Sequence, residues 1–499
     1  MEAYRTLESR FRRVTVLQNV DELLYWDTSV MMPKGAAPSR ADQAALLRVL
    51  QHEWLTAPDL PELLASAEAQ QAALDRWQRA NLREMRREWV HASAVPQDLV
   101  EALSRATSAG EARWREARPK SDFEAVRPYL EEVLRLVRES AQAKGERLGC
   151  SAYDALLDEH EPGRRSADVA PLFEELAEFL PPLLERIVEA QRSEPAPLPL
   201  EGPFPLELQE ALGRRLMTQL GFDFDHGRLD VSAHPFCGGT PDDVRITTRY
   251  STADFAESLM ATLHETGHGL YQRGLPAQWR SQPVGAPRGA AIHESQSLLI
   301  EMQACRSRGF IEFLAPLLRE TFGGQGPAWD AANLVKRYTR AEPTLIRVTA
   351  DEVTYPAHVV LRYRLERAMV DGDLTVSELP GAWAEGMKEL LRLDPPDHAQ
   401  GCLQDVHWFV GAWGYFPSYT LGAITAAQLF RSALRDDGAI APAIAEGDFR
   451  PLLGWLGSKI HSWGSFYEAD ELTVEATGSP LELDHFKTHL TARYLNSSR

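Results

Sequence analysis

Apolar residues recur at spacings of three and four through the first 190 positions: Leu46, Leu47 and Leu50, then Leu60, Leu63 and Leu64, then Leu130, Val133, Leu134 and Val137. That is the period of an amphipathic helix, so this part of the chain is predicted to be a succession of helices, each burying one face. Within it, Tyr25-Trp26-Asp27-Thr28 and Met32-Pro33 read as a helix end and a loop, with Trp26 packing. Repeated prolines between 192 and 206 predict a surface loop or a crossing between domains.

Beyond Pro205 the period changes. His234 to Thr240 is rich in turn formers and reads as a loop, after which Val244, Ile246, Thr248 and Tyr250 alternate with Arg245, Thr247 and Arg249. That alternation is the strongest strand signal in the chain, and such a strand could offer an edge to an extended peptide. It leads directly into a helical pattern of Phe255, Leu259, Leu263 and Leu270, with Ser251 or Thr252 as cap, Asp254 completing a capping box, and Gly274 and Pro276 as the stop. A second helix is predicted over 290–303. Gly323 to Pro327 is a break, and Leu345 to Asp351 leads into a long helix through Arg367.

Composition narrows the classes. Hydrophobic content of 44% with 25% charged residues in 499 positions is that of a globular protein, and no apolar run approaches the ~20 residues that span a bilayer. No membrane association is expected. The net charge of −19 disfavours nucleic acid, whose phosphates it would repel. Cys150, Cys237, Cys305 and Cys402 lie too far apart for a thiolate metal site or a disulfide framework, and the N-terminus lacks the pattern of a secretory signal. A cytoplasmic location is expected.

The chemistry concentrates in His264-Glu265-Thr266-Gly267-His268. Histidines four apart share one helix face, so both imidazoles can reach one ion, and the glutamate between them can take a proton from a water that the ion activates. A catalytic zinc wants a third protein ligand and an open position. The next predicted helix offers Glu294, in His293-Glu294-Ser295, and Glu301 on nearly the same face two turns on. Spacing alone leaves both open.

The chain resembles the carboxypeptidase Taq family of zinc metallocarboxypeptidases. The likeness rests on Asp243 to Thr247, His264 to His268, His293-Glu294-Ser295, Ile346-Arg347-Val348-Thr349-Ala350-Asp351 and Gly401 to Trp408, joined by the Trp26 to Gln43 stretch and His234-Pro235-Phe236. The resemblance implies a mainly α, large helical protein with a deep active-site cleft and a small β element next to the HExxH helix. It further implies one catalytic domain over 1–499, two helical lobes around the cleft, a homodimer, and release of single residues from peptide C-termini.

By the same resemblance the metal ligands are His264, His268 and Glu294, with Zn²⁺ as the ion and Co²⁺ or Mn²⁺ acceptable to the same donors. Glu265 is the general base. Arg347, and second Arg245, hold the substrate's terminal carboxylate, for which a guanidinium fork is suited. His407 is the donor to the developing oxyanion, with Tyr415 and Tyr419 as alternatives in contact with substrate. Two other readings use the same centre: an endopeptidase or dipeptidase, and a non-catalytic zinc-binding protein. The last is disfavoured, because a structural site closes all four positions with Cys and His and the nearest cysteine, Cys237, is in another segment.

Overall fold

The computed structural model describes residues 1–495. Most are helical, beginning with α1 (Glu2–Val30) and seven further α-helices up to Arg192, as the apolar spacing predicts. The chain divides into two compact units. One comprises Met1–Trp89, Ala196–Thr339 and Gly422–His485; the other comprises Val90–Pro195, Arg340–Leu421 and the chain from Phe486 onward. The proline-rich segment 193–205 carries the chain from the second unit into the first.

In the first unit, Phe204, Phe255, Leu259, Leu263, Leu299, Phe310, Leu314 and Leu429 belong to one buried apolar cluster. A three-stranded sheet stands beside it: β1 (Gly227–Val231), β2 (Phe236–Thr240) and β3 (Asp243–Thr248), in the order β1-β3-β2. β1 runs parallel to β3 and β2 antiparallel, pairing Leu229 and Cys237 with Ile246. Val244 and Ile246 point into a small core with Met217, Phe222 and Leu229, which accounts for the alternation read in the sequence. Phe236 to Thr240 was expected as a loop. It is an edge strand, because its ladder with β3 supplies the order that a Gly-Gly sequence does not signal.

The central helix α2 (Ala256–Gly274) starts later than Ser251 suggests. Ser251 and Asp254 instead cap tight turns, accepting from the amides of Ala253 and Ala256. The following helix, α3 (Gly289–Leu298), continues into a π-helical turn over Leu299–Cys305. α2 and α3 cross at Gly267, where a Cβ would lie 2.6 Å from the Gln296 carbonyl oxygen and 2.7 Å from Ser297 Cα. Only glycine permits that approach.

In the second unit, Val126, Leu130, Val133 and Val137 of the helix Phe123–Leu148 are buried along with Tyr153, Phe173, Trp383 and Met387. Helix α4 (Tyr355–Asp371) also lies in this interior, with Tyr363 edge-on to both Tyr153 and Phe173. Among the described residues no helix is long and apolar enough to cross a membrane.

Candidate active site

The close crossing at Gly267 brings the second and third candidate ligands together. His268 Nε2 lies 3.4 Å from Glu294 Oε2, His264 Nε2 lies 3.8 Å from the same oxygen, and one donor atom of each residue falls within 4.8 Å of the others. The far ring nitrogens are committed elsewhere. His264 Nδ1 donates to Glu301 at 3.0 Å, and His268 Nδ1 donates to the carbonyl of His293 at 3.1 Å. Both imidazoles therefore turn Nε2 toward the point that Glu294 faces, as metal-binding histidines do. Two imidazole nitrogens and a carboxylate oxygen fit a divalent metal of the zinc type.

Glu301, the rival to Glu294 by spacing, sits behind His264 and is itself held by Arg306 at 2.6 Å. The π-helical turn carries it there by shifting the helix face after Leu298. Burial opposes charge on His264, but Glu294, Glu301 and Glu265 outweigh it and raise its pKa. Burial raises Glu265, partly offset by His264 and His268, so the candidate base is more basic than an exposed glutamate.

Arg245 lies on β3 in the first unit. Its guanidinium pairs with both oxygens of Asp243 at 2.7 Å and stacks 4.2 Å above the ring of Trp26 on α1. Arg228 also lies over that ring, at 4.9 Å, so Trp26 packs as expected but as a platform for two cations.

The second unit gathers the other candidates. Arg347 Nε and Nη2 donate to one oxygen of Asp405 at 3.1 and 2.8 Å, and Nη1 donates to the Tyr355 hydroxyl at 2.6 Å. Of the five guanidinium N–H groups these use three, leaving one on each terminal nitrogen for a further acceptor. Tyr419 lies under the Arg347 guanidinium at 5.1 Å and 3.4 Å from His407 Nε2, and Tyr415 stacks on the His407 ring at 6.0 Å. Burial pushes His407 down to about 4, opposed by Asp405 and reinforced by Arg347 and Arg362, so this imidazole is neutral at neutral pH. Arg362, Glu366 and Tyr355 took no part in the sequence reading. Their signal was present: His358, Arg362 and Glu366 repeat every fourth residue along α4.

The profile of the carboxypeptidase Taq (M32) metallopeptidases matches residues 6–494. The chain belongs to that family. Among M32 relatives, it is 39% identical to thermostable carboxypeptidase 1 of Thermus thermophilus over 502 aligned positions, covering 99% of this chain and 98% of the relative. The solved metallocarboxypeptidase 1 of Trypanosoma cruzi superposes with a TM-score of 0.97 at 41% identity, covering 99% and 100% of the two chains. The M32 carboxypeptidase of Deinococcus radiodurans gives 0.94 at 33% identity, covering 99% of each. This M32 protein is thus a metal-dependent carboxypeptidase, a peptide hydrolase of mainly helical fold.

Proposed function

We propose that the carboxypeptidase activity runs on zinc held by His264, His268 and Glu294, with Glu265 as general base. The observation that carries this is the convergence of two Nε2 atoms and one carboxylate oxygen on a single point, one residue along the helix from a buried glutamate of raised basicity. A divalent ion held by these three residues would supply Lewis-acid polarisation of the scissile carbonyl and a water of lowered pKa, from roughly 15.7 to about 7. Glu265 receives the proton that the attacking water sheds and passes it to the leaving amine. His407, neutral and so a single N–H donor, hydrogen-bonds the oxygen that gains charge, and Tyr415 and Tyr419 line the substrate's path beside it.

Arg347 is the proposed carrier of C-terminal selectivity, through the two N–H groups its partners leave over; Arg245, already doubly paired to Asp243, stands second. Residues 1–499 are further proposed to be a single catalytic domain. The enzyme is further proposed to be a cytoplasmic homodimer; sedimentation equilibrium of the metal-loaded protein tests the dimer, and fractionation of expressing cells the location.

Glu265→Gln decides the central role. It is expected to keep its metal by elemental analysis while turnover falls at least roughly 10²–10⁴-fold, as for loss of a general base. Comparable turnover in the metal-loaded variant would remove Glu265 from the mechanism. Rapid cleavage of an internal bond in a peptide with a blocked C-terminus would favour an endopeptidase.

A further inference from the structure

Three polar side chains of α4, His358, Arg362 and Glu366, are fully buried, each at 0% exposure, on a helix whose other interior positions are mostly apolar. Spaced four apart, they form one polar stripe. Each holds a segment that carries a candidate substrate residue. His358 Nε2 donates to the Thr344 carbonyl at 3.1 Å, three residues before Arg347, and Arg362 Nε donates to Asp405 at 2.7 Å. Glu366 accepts from Tyr153 at 2.6 Å and from the Trp408 indole at 3.1 Å, and the backbone amide of Gly414 lies close enough to favour its charged form.

The last two contacts sit at the ends of one loop. Trp408 follows His407, and Gly414 precedes Tyr415. Gly414 has φ of +76°, and a Cβ on it would lie 2.7 to 2.9 Å from the backbone of Leu156 and Leu157, so that end of the loop is seated without room to shift. Both donors to Glu366 are neutral. A carboxylate buried among neutral partners is an expensive way to fill space, and an apolar residue would fill it at lower cost.

We propose that Glu366 is a positioning residue for peptide hydrolysis: one buried carboxylate holds the Trp408 end of the loop that presents His407 and Tyr415, a loop whose other end is seated at Gly414. This rests on the reading that His407 contacts the substrate, and the test separates the two claims.

The experiment uses the full-length, metal-loaded enzyme and compares Glu366→Leu, Glu366→Gln and Trp408→Phe, each alone and with His407→Ala. Two quantities are read: amide hydrogen exchange over residues 406–415, and kcat and KM separately on a free-acid peptide. Leucine leaves the buried Trp408 indole N–H and the Tyr153 hydroxyl without their acceptor. Exchange in the loop should accelerate and kcat/KM should fall by roughly ten- to hundredfold, mostly in kcat. Glutamine keeps an acceptor for the loop while the Tyr153 hydroxyl turns to accept from its amide, so it should recover most of both. If Glu366→Leu does not fold, Trp408→Phe removes one clamp contact and should loosen the same amides. In the His407→Ala background, Glu366→Leu should cost little more. Unchanged exchange in the loop, or glutamine as damaging as leucine, overturns the proposal. A loosened loop with no effect of His407→Ala alone supports the clamp and removes His407 from catalysis.

Discussion

Arg347 and Arg362 share one carboxylate: Asp405 accepts from Arg347 on one oxygen, at 3.1 and 2.8 Å, and from Arg362 on the other at 2.7 Å. Burial works against the charge on Asp405, but Arg362 and Arg347 outweigh it and hold its pKa well below the usual range. The three groups therefore carry one positive charge in excess, and the neutral His407 beside them adds none. A substrate that brings a single carboxylate balances that charge. That balance supports the proposal that this cluster receives the substrate's free C-terminus.

Arg347→Met is accordingly expected to lower kcat/KM on a free-acid peptide. A hydrogen bond to a charged group is worth about 1.5–3 kcal/mol, which is roughly ten- to hundredfold in rate constant. On the C-terminally amidated peptide the loss should be much smaller. Equal losses on the two substrates would assign Arg347 to support of the fold and move the carboxylate contact to Arg245.

The metal ligands and their supports should separate by affinity. Glu301→Gln weakens the hold on His264 without removing a donor atom and is expected to reduce zinc affinity by roughly 10–100-fold. Glu294→Gln should reduce it much further. Chelator competition on both purified variants measures this, and a larger loss from Glu301→Gln would reverse the two roles.

At Gly267 the added methyl of alanine would press on the backbone of Gln296 and Ser297. Overpacking of this kind costs about 1–3 kcal/mol. Because the strain falls between the helices that carry His268 and Glu294, Gly267→Ala should lower both the melting temperature of the metal-free protein and its zinc affinity. Calorimetry with and without zinc checks it; a melting point lowered with zinc affinity intact would uncouple the crossing from the ligand set.

Burial raises Glu366 from 4.5 to about 7, with Tyr153, Trp408 and the Gly414 amide only partly opposing. The native state thus holds this proton more tightly than the unfolded chain. The associated stability is fully present below about pH 4.5 and is lost as pH rises through about 7, a change of about 3 kcal/mol. Glu366→Gln has no proton to lose. Its melting temperature should gain on that of the wild type as pH is raised from 5 to 8, by a few degrees. A difference independent of pH would mean that Glu366 is ionised throughout.

Periodic features were readable from the sequence because they depend on neighbours along the chain: the helices up to Arg192, the alternation of β3, and the two histidines on one face of α2. What was not readable depends on other segments. β1 and β2 are five residues each, β2 contains a Gly-Gly pair, and only their ladders with β3 reveal them. Glu294 and Glu301 are equivalent by spacing; a π-helical turn puts one before the histidines and the other behind. His358, Arg362 and Glu366 look like the solvated stripe of a surface helix until that face is seen to be buried.

That buried stripe also sets two kinds of selection against each other. A mutational search scored only on heat resistance would tend to replace the α4 polar residues with leucine or methionine, since well-packed apolar residues often match or exceed buried ionic groups in stability. Survivors of such a search could outlast the parent on heating and still process peptides slowly. Any programme to toughen this peptidase should leave positions 358, 362 and 366 out of its libraries, or score every gain in melting point there against turnover.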